Sequence, residues 1–212
     1  MHYPAILLFG PPGSGKGTQG RVLSAIPGFF HSATGDIFRS LDLHSEAGRI
    51  AWEYSSRGEL VPDAFTVDIW KQYIRGMELI NRYHPESEAL VLDGIPRSVE
   101  QARLLTDTID VRRIIYLRAD KEKMVERLRR RALKENRVDD ASDDVIRKRL
   151  DVYERDSKPL LDFYGRQLVS TVDATMNQIR VTQAIIDIIA PIKEQLDAEH
   201  DAADELREMS RK

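Results

Sequence analysis

Cysteine is absent from the 212-residue chain. That excludes disulfides, a thiolate nucleophile and any cysteine-bound zinc, and it agrees with a reducing compartment. No apolar run approaches the roughly 18 residues of a membrane span. The opening MHYPAILLFG holds five apolar residues and then a glycine, too few for a secretory signal, and no basic segment precedes them. A cytoplasmic protein without a membrane partner is expected. There is no internal repeat and no low-complexity linker. Basic charge is not in excess either: 32 Lys and Arg stand against 35 Asp and Glu, a net charge of -3. A general nucleic-acid binder is therefore not expected. What is present is a chain 42% hydrophobic and 32% charged, long enough for one large domain with its own core.

Short apolar runs alternate with helical patterns. Ala5–Phe9, Phe29–His31, Ala89–Leu92, Arg113–Leu117 and Leu168–Val172 read as strands. Helical segments are expected at Lys16–Ala25, Gly35–Leu43, Glu46–Arg57, Ala64–Arg82, Val99–Thr106, Lys121–Ala132, Asp143–Tyr164 and Gln178–Ala190. The alternation, with continuously apolar strands, predicts an α/β fold whose parallel sheet is covered on both faces. Beyond Pro191 the chain is highly charged. Ile192, Leu196, Ala203 and Leu206 keep a helical spacing, but Glu199 interrupts that face. A solvated helical tail over 191–212 is expected; a partner-binding helix is the alternative.

The first strand runs into GPPGSGKGTQ, Gly10 to Gln19, with four glycines between positions 10 and 17. Such glycines let the backbone approach a ligand and turn its N–H groups inward. Those groups and the following helix N-terminus form an anion site, and Lys16 adds a mobile charge for outer phosphates. Gly10, Gly15 and Lys16 fit the P-loop spacing. Gly17 stands where the general pattern has Ser or Thr, and Thr18 follows one place late. Asp93, ending the apolar run Ala89–Leu92, is the expected acidic partner near Mg²⁺.

A local charge excess needs its own account. Arg127–Arg149 holds nine Lys or Arg and five Asp or Glu, a local +4 (nine minus five) in an acidic chain. Arg127 and Arg131 are four apart, on one helix face.

Six ordered motifs answer both questions: GPPGSGKGTQ, ATGDIFR (Ala33–Arg39), GELVPD (Gly58–Asp63), DGIPRS (Asp93–Ser98), RVDD (Arg137–Asp140) and RKRL (Arg147–Leu150). From about Ile6 to about Asp173 the chain resembles the adenylate kinases, within the nucleoside monophosphate kinase family. The resemblance implies the P-loop NTPase fold, a five-stranded parallel sheet flanked by helices, in one kinase domain over 1–190. It implies a mobile monophosphate-binding lobe near 33–61 and a lid near 130–140. Five residues separate Arg131 from Arg137, so the lid resembles the short form, without zinc. The substrates implied are ATP and AMP, with ADP as product and Mg²⁺ carried on ATP; no protein metal ligand is expected, and the family suggests a monomer.

Residue by residue, the resemblance assigns ATP to Gly13, Ser14, Gly15, Lys16, Gly17, Thr18, Arg127, Arg131 and Met176. It assigns AMP to Thr34, Arg39, Glu59, Leu60, Val61, Gly94, Arg97, Gln101, Arg137 and Arg149. Lys16, Arg97, Arg131, Arg137 and Arg149 are implied to be catalytic, and Asp139 and Asp140 to hold lid arginines. Arg129, Arg130 and Lys148 have no counterpart and read as solvated surface. Guanidinium groups suit this role because they grip phosphate oxygens bidentately. The nucleophile is an ionised phosphate oxygen, so no general base is required. The five histidines fall in none of the motifs.

Thr34 and Gln101 match residues of adenylate kinases rather than of the related pyrimidine kinases, and an amide suits adenine's donor–acceptor edge. Thr34 has an alternative role as a helix N-cap, and Gln101 as a plain helix residue. Departures are Ile95 for an aromatic, Glu59 for Lys, Ser55 for an apolar residue and Ala174 for Gly. They leave open a kinase of the same fold preferring UMP, CMP or another monophosphate. A nucleotide-binding regulator without catalysis is the remaining alternative.

Overall fold

The computed structural model describes residues 2–135, 140 and 142–210. Its strands are β1 (Tyr3–Phe9), β2 (Phe29–Ala33), β3 (Ala89–Asp93), β4 (Ile109–Arg118) and β5 (Val169–Asp173). All pair in parallel in the order β2–β3–β1–β4–β5. Helices α1 (Lys16–Leu23), α2 (Thr34–Ser40), α3 (Glu46–Ser56), α4 (Asp63–Leu79), α5 (Val99–Leu105), α6 (Lys121–Glu135), α7 (Asp143–Val152), α8 (Leu160–Phe163) and α9 (Gln178–Ser210) fill the connections.

β1 shows why its run is unbroken by polar residues. Successive side chains point to opposite faces, and both faces are covered. Ala5, Leu7 and Phe9 join a core with Ile37 of α2, Trp70 and Ile74 of α4 and Leu105 of α5. Ile6 and Leu8 join a second core with Leu23 of α1 and Val181, Ile185 and Ile189 of α9.

Three expectations about elements change. β4 begins at Ile109, and its pairing with β1 shifts register between Ala5 and Ile6. That makes Arg112 the extra residue of a bulge, since Ala5 faces Val111 and Ile6 faces Arg113.

The helix expected over Asp143–Tyr164 is instead α7, a wide turn at Tyr153–Ser157 and the short α8. Pro159 lacks the N–H that would continue an α-helical ladder, and the Lys158 N–H reaches back to the Tyr153 carbonyl at 2.9 Å.

The third change corrects the tail. Pro191 lies within α9, which continues to Ser210. Ile192 and Leu196 belong to the second core, 8% and 2% exposed. Beyond them the described residues of the helix no longer contribute to the core, and Leu206 and Met209 are exposed. Glu199 interrupts the apolar face because it binds Arg112 through two hydrogen bonds of 2.9 and 2.7 Å. Pro191 is exposed, so the carbonyl freed by its missing N–H faces the wet side.

Candidate active site

Leu8 of β1 is paired with Asp93 of β3, so the loops leaving these two central strands meet at their carboxyl ends. Ligands of open α/β sheets bind in that crevice. A cavity of about 870 Å³ lies there. Gly13, Ser14, Gly15, Lys16, Gly17 and Thr18 line one part. Thr34, Arg39, Glu59, Leu60, Val61, Gly94, Arg97 and Gln101 line another. Arg127, Arg131, Arg149 and Met176 line it too. Arg137 and Asp139 lie outside the described residues.

The glycine loop turns sharply because Gly10 has φ +143° and its position has no room for a side chain. A Cβ there would fall 2.5 Å from the Leu117 carbonyl oxygen. Gly17 explains the departure from the usual Lys-Ser/Thr pair. A Cβ at Gly17 would meet Asp93 Oδ2 at 3.3 Å, so the first turn of α1 lies close against the strand-end carboxylate. Thr18, one residue on, supplies a hydroxyl side chain lining the cavity.

Lys16 folds back on its own loop and donates to the carbonyl oxygens of Gly10 at 2.7 Å and Pro11 at 3.1 Å. Enclosure by protein pulls its pKa from 10.5 down to about 8; Asp93 opposes the shift, and Arg97, Arg131 and Arg149 add to it.

The arginines are held by partners at their rims. Asp140 is fully buried and accepts from Arg131 Nε at 2.7 Å and from Arg149 Nη1. One carboxylate thus fixes two guanidiniums nine residues away on either side. Arg97 donates from Nε to the Gly94 carbonyl at 2.9 Å, and its own carbonyl accepts from Ser157 Oγ at 2.6 Å. Arg127 donates to the Ala174 carbonyl at 2.8 Å. Arg39 pairs with Asp36. Arg129 and Arg130 are exposed and paired with Asp143 and Glu126, but Arg130 also lines the cavity, so it is not the plain surface residue expected. Lys148 pairs with Glu59 at 2.6 Å.

At the acceptor side, α2 begins at Thr34 with Ala33 as its cap residue and no side-chain cap bond. The Thr34 hydroxyl is buried with no hydrogen-bond partner among the described residues. Capping is therefore not its role, and a buried unmet hydroxyl in a cavity wall is suited to a ligand. Gln101 is also no plain surface residue: it is 1% exposed. Its Oε1 accepts from the Arg97 N–H at 2.7 Å, and its Nε2 donates to Asp63 Oδ1 at 2.9 Å.

Sequence reasoning missed Asp63 and Ser157. Asp63 closes the GELVPD motif but was given no role, and no motif contains Ser157; their contacts span 38 and 60 residues. It also missed Leu43 and Trp52, two exposed apolar side chains on the cavity wall. Their conflict between apolarity and exposure appears only in three dimensions.

Two departures find physical places. Ile95 is a core residue, 2% exposed, so an aliphatic side chain there changes packing rather than the site. The negative charge of Glu59 is met by Lys148 and by Arg57 at 3.6 Å, and the Lys148 hydrogen bond holds its carboxyl below the usual range.

A parallel sheet in this order, with a glycine loop, its lysine and a strand-end aspartate around one cavity, defines a P-loop phosphotransferase of nucleotides. A family model described as adenylate kinase matches residues 8–169, and the chain belongs to that family. Curated relatives agree. An adenylate kinase of Cyanothece sp. is 35% identical over 89% of this chain and 96% of its own length. One of Maricaulis maris is 38% identical over 85% and 95%. One of Rhodococcus erythropolis is 39% identical over 80% and 90%.

Proposed function

We propose that the protein transfers the terminal phosphoryl group of ATP to AMP, reversibly, giving two ADP. The observation that carries this reading is one cavity shared by the glycine loop, the unmet Thr34 hydroxyl and four arginines, Arg39, Arg97, Arg131 and Arg149. Two nucleotides bring roughly six negative charges that repel in water. Lys16 and the loop N–H groups hold ATP phosphates. Arg39 and Arg97 hold the AMP phosphate. Arg131 and Arg149, joined by Asp140, stabilise charge on the group in transit. Arg127 and Met176 flank ATP, and Arg137, outside the described residues, is assigned to the same clamp by its place in the RVDD motif.

No described histidine lines the cavity, and none is required. The attacking AMP oxygen is already ionised, so positioning and electrostatics carry the step. Mg²⁺ arrives with ATP and neutralises phosphate charge. Asp93 and Thr18 offer the hard oxygen donors that suit it, directly or through water.

Residues 33–61 form the lobe that closes on AMP, and 130–140 a short lid that keeps water from accepting the phosphoryl group. The kinase domain takes in α9 as far as Leu196, whose side chain is in the core. No described helix is long and apolar enough to cross a membrane, and we take the protein as a cytoplasmic monomer.

The test is ADP formation from MgATP with AMP, UMP, CMP, GMP and dAMP in turn. A strong preference for AMP is expected. Preference for a pyrimidine would overturn the acceptor assignment, and no transfer to any would overturn catalysis.

A further inference from the structure

Gln101 is held by two groups of opposite and fixed character. The Arg97 backbone N–H can only donate, and it faces Oε1 at 2.7 Å. The Asp63 carboxylate, when ionised, can only accept, and it faces Nε2 at 2.9 Å. Ser98 adds to the arrangement. Its hydroxyl donates to the same Asp63 oxygen at 2.8 Å and accepts from the Gln101 backbone N–H at 3.0 Å. Turning the amide over would set NH₂ against N–H and oxygen against carboxylate, leaving buried groups unmet. The amide therefore has one allowed polarity.

Gln101 lines the cavity and Asp63 does not. After its internal bonds the amide retains one lone pair on oxygen and one hydrogen on nitrogen. That pair complements an edge carrying an amine beside a bare ring nitrogen, as adenine does. It mismatches an edge carrying a carbonyl beside a ring N–H, as 6-oxopurines and uracil do. A freely turning amide would accept both edges.

We propose that Asp63 is a specificity-determining positioning residue, which locks the Gln101 amide in the polarity that accepts a 6-aminopurine monophosphate and rejects a 6-oxopurine one. This rests on Gln101 being the acceptor-base contact. Asp63 touches no substrate and acts only through the amide.

The experiment compares kcat/KM for AMP and for inosine monophosphate, which differ at the purine 6-position and the N1 proton, at saturating MgATP. Asp63→Ala is expected to lower the AMP-to-IMP ratio about tenfold, because the Arg97 N–H then holds the amide alone. The change should fall on acceptor KM, with KM for MgATP unaltered. Asp63→Asn keeps a carbonyl oxygen for both bonds and is expected to restore most of the ratio. If the alanine variant does not fold, Asp63→Ser, well suited to a helix start, carries the same expectation. A wild-type ratio in a folded Asp63→Ala or Asp63→Ser protein, whatever its Tm, overturns the proposal. Gln101→Leu separates the two readings. Loss of the ratio there, with the ratio intact in the Asp63 variants, defeats only the positioning role. An intact ratio in Gln101→Leu defeats the base contact and the proposal together.

Discussion

Lys16 is the residue whose chemistry depends most on what surrounds it. With its pKa near 8, it is charged at neutral pH and loses its proton just above. Phosphates need it charged. The profile of kcat/KM for ATP, which reports the free enzyme, is expected to fall as pH rises through about 8. Bound phosphate raises the pKa again, so ATP binding above pH 8 should take up a proton, visible by calorimetry in buffers of different ionisation heat. The stability sign follows from the same shift. The unfolded chain holds this proton more tightly, so the Lys16 contribution to stability rises with pH between about 8 and 10.5.

Asp140 makes the second prediction at this scale. Asp140→Ala releases two arginines at once, and kcat is expected to fall about 100-fold, as small misplacements of transition-state groups do. An unchanged kcat in steady-state assays would mean that the arginines hold their own positions.

At the scale of elements, α9 decides the matter of the tail. Leu196→Ala should cost about 2–5 kcal/mol in chemical denaturation, as buried leucines do. Leu206→Ala, on the exposed portion, should stay within about 0.5 kcal/mol. Equal losses would contradict the placing of the core boundary between them. The proline at 191 misleads a sequence reading because it ends helices far more often than it sits in one. The buried partners of Ile192 and Leu196 override that preference. The central strands β1 and β3 were legible for the opposite reason: burial on both faces leaves a nearly unbroken apolar signature. The glycine loop was legible because its chemistry is local. The Asp63–Gln101 and Ser157–Arg97 contacts were not, since each joins segments far apart in sequence. Thr34 lies between these cases. Its identity was readable, but only the helix start at Thr34 itself removes the capping role.

For the whole molecule, the proposed closure offers an optical reading. Trp52 lines the cavity and is 54% exposed, whereas Trp70 is fully buried. Adding AMP is expected to shift the protein's emission to the blue as Trp52 leaves water, and Trp52→Phe should abolish the shift. An unchanged spectrum in the wild type, with AMP bound, would argue against closure of this lobe. The Lys148–Glu59 pair joins the loop after α3 to α7. It is exposed and worth little alone, so salt should alter the rate of opening more than overall stability.

The position of β1 also sets an order of events during synthesis. It is the middle strand, yet it is made before either neighbour. Ala5 waits for Leu90 and then for Val111 before its hydrogen bonds are complete. Its other face, with Ile6 and Leu8, is covered early by Leu23 of α1 but stays incomplete until the stretch from Val181 to Leu196 arrives. Pairings this distant in sequence form late. An emerging chain thus carries a sticky, half-dressed strand for most of its length, and it depends on chaperones or on speed until the last helix closes over it.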